Sequence, residues 1–241
     1  MLTVIAVEAR KLNRSLAALL AVAAPSLIAL FTFFNVLRVG EPGQWEMWLQ
    51  SATAIWAFFM LPMSVTALTA LVAHMEHGPK SWDHLRALPL PRWKLYAAKA
   101  ICVLGVVAVM SVAVLLLTWA AVRLAVLVNP KVEPTGPLAL AHHAKILSLM
   151  FGASLLMVAI QLWTALRYSS FVPGLVVGIG GTFFAVVATS AKQGVFLPWQ
   201  MPVNMLSSEA WRLTTALGLG GGVGLLALIA LTVHLSRREV L

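Results

Sequence analysis

The chain has 241 residues, of which 61% are hydrophobic and 10% charged, with a mean hydropathy of +0.91 and a formal net charge of +9. Soluble domains carry about 25% charged residues, so this composition excludes an ordinary soluble domain and indicates an integral membrane protein. Long uninterrupted apolar runs exclude a transmembrane β-barrel, whose strands alternate every second residue. The basic residues sit between apolar runs rather than on one soluble face, so the charge reads as orientation in a membrane and not as nucleic-acid binding.

In chain order, residues 2–14 read as an amphipathic helix lying on the membrane. Leu2, Ile5, Ala9, Leu12 and Leu16 follow 3-4-3-4 spacing while Arg10, Lys11 and Arg14 lie off that stripe. The basic residues ahead of SLAALLAVAAP could also open a signal peptide. However, the apolar run continues to Phe34, long enough for a ~30 Å hydrocarbon layer, which favours a retained first span over about 15–37. The loop RVGEPGQWEMW at 38–48 follows, its two Trp suited to an interfacial belt. A second span covers about 49–73, with Pro62 near its middle expected to kink it.

The stretch 74–99, with its loop at 74–96, is the longest polar segment and holds five of the 17 basic residues: Lys80, Arg86, Arg92, Lys94 and Lys99. Short Lys/Arg-rich loops remain on the cytoplasmic side. Between Pro79 and Pro89 a short helix is expected, with Trp82, Leu85 and Leu88 in one stripe. With no bilayer to receive it, that stripe should dock on the membrane surface or on another protein.

A third span covers about 97–124, and the Pro-rich segment 129–143 reads as an irregular outer loop. The fourth span lies at about 145–166, and a tight basic turn at Arg167 and Tyr168 follows it. The fifth covers 170–190 and contains Gly174 and Gly178 at GxxxG spacing. Residues 191–211 are too broken by Pro198 and Pro202 to cross a membrane, and their apolar content suggests that they dip into the outer leaflet. The sixth span covers about 212–235 and pairs Gly218 with Gly222, and Gly220 with Gly224. With this arrangement eleven basic residues fall inside and six outside, so both termini are expected in the cytoplasm. The fold class is therefore all-α: six transmembrane helices, an N-terminal elbow helix and a cytoplasmic loop helix, in one membrane domain over 1–241.

Several motifs lead elsewhere. The glycine-rich run at 217–224 lacks the strand that a nucleotide loop requires, and reads as helix packing. The pair His142 and His143, and the set His74, His77 and His84, come with no carboxylate or Cys to complete a metal site. The lone Cys102 supports no disulfide and no metal cluster. The spans offer only scattered Gln161, Ser154 and Thr118, which argues against an intramembrane enzyme. No Walker sequence occurs, so the chain does not hydrolyse ATP by itself.

The chain resembles the permease subunits of ABC-2 type transporters, especially the small six-span permeases of lantibiotic-immunity and bacitracin-export type. The resemblance is carried by Glu8, Lys11, Arg14 and Ser15 in an E-x-x-K-x-x-R-S pattern and by Glu76, Gly78, Trp82, Leu85, Leu88-Pro89, Arg92, Tyr96 and Lys99 around the central loop. Leu197-Pro198-Trp199 and Pro202 in the late outer loop add to it. Residues 77–80, HGPK, depart from the less interrupted stretch of many relatives. The resemblance implies a non-catalytic subunit of the bacterial cytoplasmic membrane that pairs with a second permease, identical or paralogous, above two ATPase subunits. ATP and Mg would be bound by that partner, with no cofactor in this chain and no nucleic acid. Glu76, Trp82, Leu85, Arg86, Leu88 and Arg92 would couple to the ATPase, Glu8, Lys11 and Arg14 would belong to the elbow, and a hydrophobic peptide, antibiotic or lipid-like substrate would be exported. The alternatives are a membrane anchor or sensor subunit without transport and an intramembrane enzyme.

Overall fold

The computed structural model describes residues 1–78, 82, 85 and 89–237. The described residues are helical and contain no β-strand. Helix α1 (Leu2–Leu12) precedes α2 (Leu16–Val39). The second span comprises α3 (Trp45–Ile55), a π turn (Trp56–Met60) and α4 (Leu61–His77). Helix α5 (Arg92–Val128) is continuous. Helices α6 (Leu140–Ala153) and α7 (Leu155–Arg167) meet at a 44° bend. Helix α8 (Val172–Val187) is followed by short 3-10 turns, then by α9 (Ala210–Leu217), a π turn (Gly218–Val223) and α10 (Gly224–Arg237).

Among the described residues, five helices are long and apolar enough to cross a membrane, and the bent α6–α7 pair makes a sixth crossing if taken as one span. The observed helices overrun the boundaries read from hydropathy: the second span starts at Trp45 and ends at His77, and α5 has 37 residues. At 1.5 Å per residue α5 is about 55 Å long, well beyond the ~30 Å hydrocarbon thickness, so it stands clear of the apolar layer. Hydropathy sees only the portion inside lipid, which is why the polar ends of these helices were read as loop.

Those overrunning ends change where the aromatic residues go. Trp45 and Trp48 are buried, packed with Val36, Val122, Ala125 and Val132 in a second small core instead of forming a lipid-facing belt. Two backbone bonds close that end: Trp45 N–H donates to Thr135 O at 3.1 Å, and Thr135 N–H donates to Gly43 O at 2.8 Å. The segment 191–209 folds back onto the bundle. Its Val195, Met201, Val203 and Met205 join the main core, and Asn204 donates to Gln200 O at 2.9 Å.

Seven hydroxyl side chains inside the spans are satisfied locally. Thr32, Thr53, Thr66, Thr69, Ser111, Thr164 and Thr182 each donate to the carbonyl four residues earlier, as a medium without water demands. Pro62 removes one backbone donor from the second span. The chain accommodates it with the π turn at Trp56–Met60 immediately upstream.

The glycine pairs behave unequally. Gly178 is buried against Thr66 and Gln161, but a side chain at Gly174 would meet open space. The Gln161 carboxamide, oriented so that both its groups are satisfied, donates to Gly174 O at 3.2 Å and accepts from Gly178 N at 2.9 Å. The pair thus admits a polar side chain into the backbone ladder of α8. In the last span, Gly218 and Gly222 are exposed with free space around them, contrary to the packing role expected for that pair. The π turn rotates the other pair inward. A Cβ on Gly220 would lie 2.9 Å from Ala153 Cα, and one on Gly224 would lie 2.7 Å from the Leu155 carbonyl carbon. Gly220 and Gly224 therefore press on the break between α6 and α7, where Ser154 Oγ donates to Phe151 O at 2.7 Å. Accordingly, Gly220→Leu or Gly224→Leu should lower stability by about 1–3 kcal/mol or more through overpacking, whereas Gly218→Leu and Gly222→Leu should melt like the parent. Thermal unfolding in detergent distinguishes the two pairs, and equal losses at all four positions would contradict this packing.

Candidate functional site

Four charged side chains from three elements meet where the polar loop leaves the bundle. Glu8 and Lys11 are one turn apart on α1. Glu76 is in the last turn of α4, and Lys99 is two turns into α5. The Lys99 Nζ donates to Glu8 Oε2 and to Glu76 Oε1, both at 2.7 Å. The Lys11 Nζ donates to Glu8 Oε1 and to the same Glu76 oxygen, again at 2.7 Å. The contacts close a ring in which the charges alternate in sign, two carboxylates against two ammonium groups.

Burial is uneven around this ring. The Lys99 side chain is 1% exposed and those of Glu76 and Glu8 are 3% and 6%, but Lys11 is 31% exposed. Burial pulls the Lys11 ammonium toward deprotonation, yet its hydrogen bonds to Glu76 and Glu8 and their negative charge outweigh that, so its pKa stands above the ordinary 10.5. Lys99 has no such route to water, and the two carboxylates are what make a cation tolerable at that depth. The sequence reading placed Lys99 among the loop bases that set orientation. Here it is instead the innermost member of a paired cluster.

The elbow enters the site through a defined turn. Arg14 adopts φ 59°, the left-handed region that an L residue occupies at a cost of roughly 1 kcal/mol. Ser15 then caps α2: its Oγ accepts from Ala17 N at 3.1 Å and Ala18 N at 3.4 Å, and donates to Leu12 O at 2.6 Å. The expected elbow residues thus divide their work, with Glu8 and Lys11 pairing to the spans and Arg14 making the corner.

Beside the ring lies an aromatic stack. Trp82 packs on Tyr96 with centroids 5.6 Å apart and planes at 22°, and its Nε1–H donates to His77 Nδ1 at 3.1 Å. The Lys99 Nζ is 5.9 Å from the same indole. Trp82 is 6% exposed and belongs to the main core, and Leu85 packs half-buried against that core. Of the stripe expected to dock on the membrane surface or on another protein, the Trp82–Leu85 part is packed against its own chain. The ends of α4 and α5 extend past the apolar layer and supply the wall, through His77 and Tyr96, on which it rests. Glu76, read as a coupling residue, is likewise enclosed by its own chain. Arg92 is exposed at the start of α5, whereas Arg86 and Leu88 lie outside the described residues. Sequence reasoning missed the roles of Lys99, Tyr96 and Gln161. The available signal was an ionisable residue inside an apolar run, as Lys99 is, which asks for a named partner.

Losing one partner of a buried ion pair costs about 3–5 kcal/mol, because the remaining charges stay desolvated. Lys99→Met, which leaves two carboxylates to one half-exposed ammonium, should therefore lower stability on that order, and Lys11→Met should cost less. Because the folded pKa of Lys11 is raised, its contribution is complete below pH 10.5 and is lost as pH climbs through the higher folded value. The difference in melting temperature between the parent and Lys11→Met should hold from neutral pH to about 10.5 and shrink only above it. A gap that closes near neutral pH would show that Lys11 is not held as this geometry indicates.

The family described as ABC-2 family transporter protein matches residues 4–189, which include the elbow, the charge ring and the central loop. Comparisons with curated proteins and with solved structures find no match. With more than half of its length matched, and with its helices long and apolar enough to cross a membrane several times, the chain belongs to the ABC-2 transporter family and is an all-α membrane protein of that family.

Proposed function

We infer that the chain is the permease subunit of an ATP-driven exporter in the bacterial cytoplasmic membrane, with both termini in the cytoplasm. It pairs with a second permease, identical or paralogous, and is driven by two copies of an ABC ATPase that bind ATP and Mg. The substrate class proposed is a hydrophobic peptide, antibiotic or lipid-like molecule, drawn from the cytoplasm or the membrane. The observation that carries this reading is the mounting of the central loop. Its two flanking helices, α4 and α5, are joined to each other and to the elbow by the ring of Glu8, Lys11, Glu76 and Lys99. A loop so mounted transmits force to the spans, whereas a plain linker would not need buried charge at both ends.

Within this reading the loop residues take different parts. Trp82 and Glu76 hold the loop on its own chain, and exposed Arg92 is available to acidic groups on the ATPase. Trp82→Phe preserves the stack on Tyr96 and should support transport. Trp82→Ala opens a cavity in the core and should reduce ATPase stimulation more than ATPase binding, with a stability loss of about 3–5 kcal/mol. Arg92→Ala should change the salt dependence of ATPase association more than its maximal extent. Co-purification and ATP-driven transport measured on the same detergent-solubilised variants test this. A Trp82→Ala protein that binds its ATPase and transports at the parental rate would reduce the loop to a linker. Orientation is tested separately in a Cys102→Ala background, where cysteines at 131 and 192 should react with an impermeant thiol reagent in intact cells and a cysteine at 92 should not.

A further inference from the structure

The ring of four charges divides evenly along the boundary between the elbow and the spans. Glu8 and Lys11 both belong to α1, and they bond to each other at 2.7 Å. Glu76 and Lys99 both belong to the spans and bond to each other at 2.7 Å. Among the described residues, two ion pairs cross the boundary: Lys99 to Glu8 and Lys11 to Glu76. If α1 lifts, the elbow leaves with one acid and one base, and the spans keep one of each. No charge is stranded on either side, so the large penalty for an unpaired buried ion does not arise.

Apart from this ring, α1 sinks no fully buried side chain into the bundle. Glu8 is the one buried residue of α1, and the apolar side chains of that helix are half-buried or exposed, Leu2 at 83% and Val7 at 48% among them. A helix anchored in the bundle by apolar burial would show the reverse pattern, with its acids outside. We propose that α1 is a detachable latch, held by the two boundary-crossing ion pairs and released during the transport cycle with Glu8 and Lys11 paired to each other, so that the ring divides into two neutral pairs. The latch itself is a property of this chain, while its use in transport rests on the exporter reading.

The chain carries its own reporter. Cys102, the one cysteine of the sequence, lies one turn beyond Lys99 with its Sγ 3.8 Å from Ile5 O, directly beneath the elbow. A maleimide reaches it when α1 lifts. Electroneutral release predicts opposite effects from two isosteric neutralisations of the same ring. Glu8→Gln leaves the undocked spans balanced as Glu76–Lys99, and its extra Lys11 charge is readily solvated, so release becomes easier. Glu76→Gln leaves Lys99 without a carboxylate once Glu8 departs, so release becomes harder.

In the purified full-length chain, Glu8→Gln should speed N-ethylmaleimide labelling of Cys102 by about tenfold or more, and Glu76→Gln should slow it. A merely structural ring would loosen in both variants. Shifts of the same sign, or no shift in either, would overturn the proposal. Should either variant fail to fold, Ile5→Cys provides a second measurement. A disulfide to Cys102 in the assembled transporter should stop ATP-driven transport, and reduction should restore it. Transport that persists with the disulfide formed overturns the latch. Transport absent even from the reduced protein counts instead against the exporter reading, and the labelling rates decide the latch without it.

Discussion

A lysine ammonium buried among helices is the constraint around which this end of the molecule is arranged. Lys99 cannot reach water from its place on α5, so two carboxylates must reach it, one from α4 and one from a helix 91 residues earlier in the chain. Satisfying it fixes the relative position of three elements, since Glu8 and Glu76 must arrive at the same nitrogen. Lys11 closes the ring from the rim and keeps its sum at zero. The Arg14 corner and the Ser15 cap then follow as the geometry needed to turn the chain from a surface helix into the first span.

Ion pairs in a buried setting give little net stability compared with apolar packing, but an arrangement that strands one partner is strongly disfavoured. The same property suits a part that must occupy one position at a time. The aromatic stack of Trp82 on Tyr96 differs in kind. It is a packing contact with one hydrogen bond to His77, and it ties the loop to α5 irrespective of charge. The site therefore has a charge-held side facing the elbow and an apolar side facing the loop, both bearing on the first three turns of α5.

How much of this was legible in the sequence depends on the kind of signal. The crossings, the elbow and the polar loop follow from hydropathy and the 3.6-residue period, and the family resemblance on Glu8, Lys11, Glu76 and Lys99 named all four ring members. Their meeting was not legible, because no local pattern links position 8 to positions 76 and 99. The Trp82 stripe was misjudged for a related reason. Hydropathy assigned the ends of α4 and α5 to loop, so no wall was left for the stripe to rest on. The glycine pairs show the limit of spacing alone. Gly218 and Gly222 satisfy GxxxG as well as Gly220 and Gly224 do, but only the π turn decides which pair faces α6 and α7. Gln161 carries no motif, yet it occupies the backbone ladder of α8.

The unbroken length of α5 has a mechanical consequence. The second, fourth and sixth crossings each contain an irregular turn or a bend, at Trp56–Met60, at Ser154 and at Gly218–Val223, whereas α5 contains none. Stiffness is thereby concentrated in one member and compliance in its neighbours. Lys99 near one end of that rod and Asn129 beyond the other are about 45 Å apart at 1.5 Å per residue. A rigid helix carries a tilt at its charged end on to the far end, where Thr135 clasps the chain at Gly43 and Trp45. In the exporter proposed above, α5 is the one member rigid enough to carry a displacement between the two ends of the bundle without losing it at a joint.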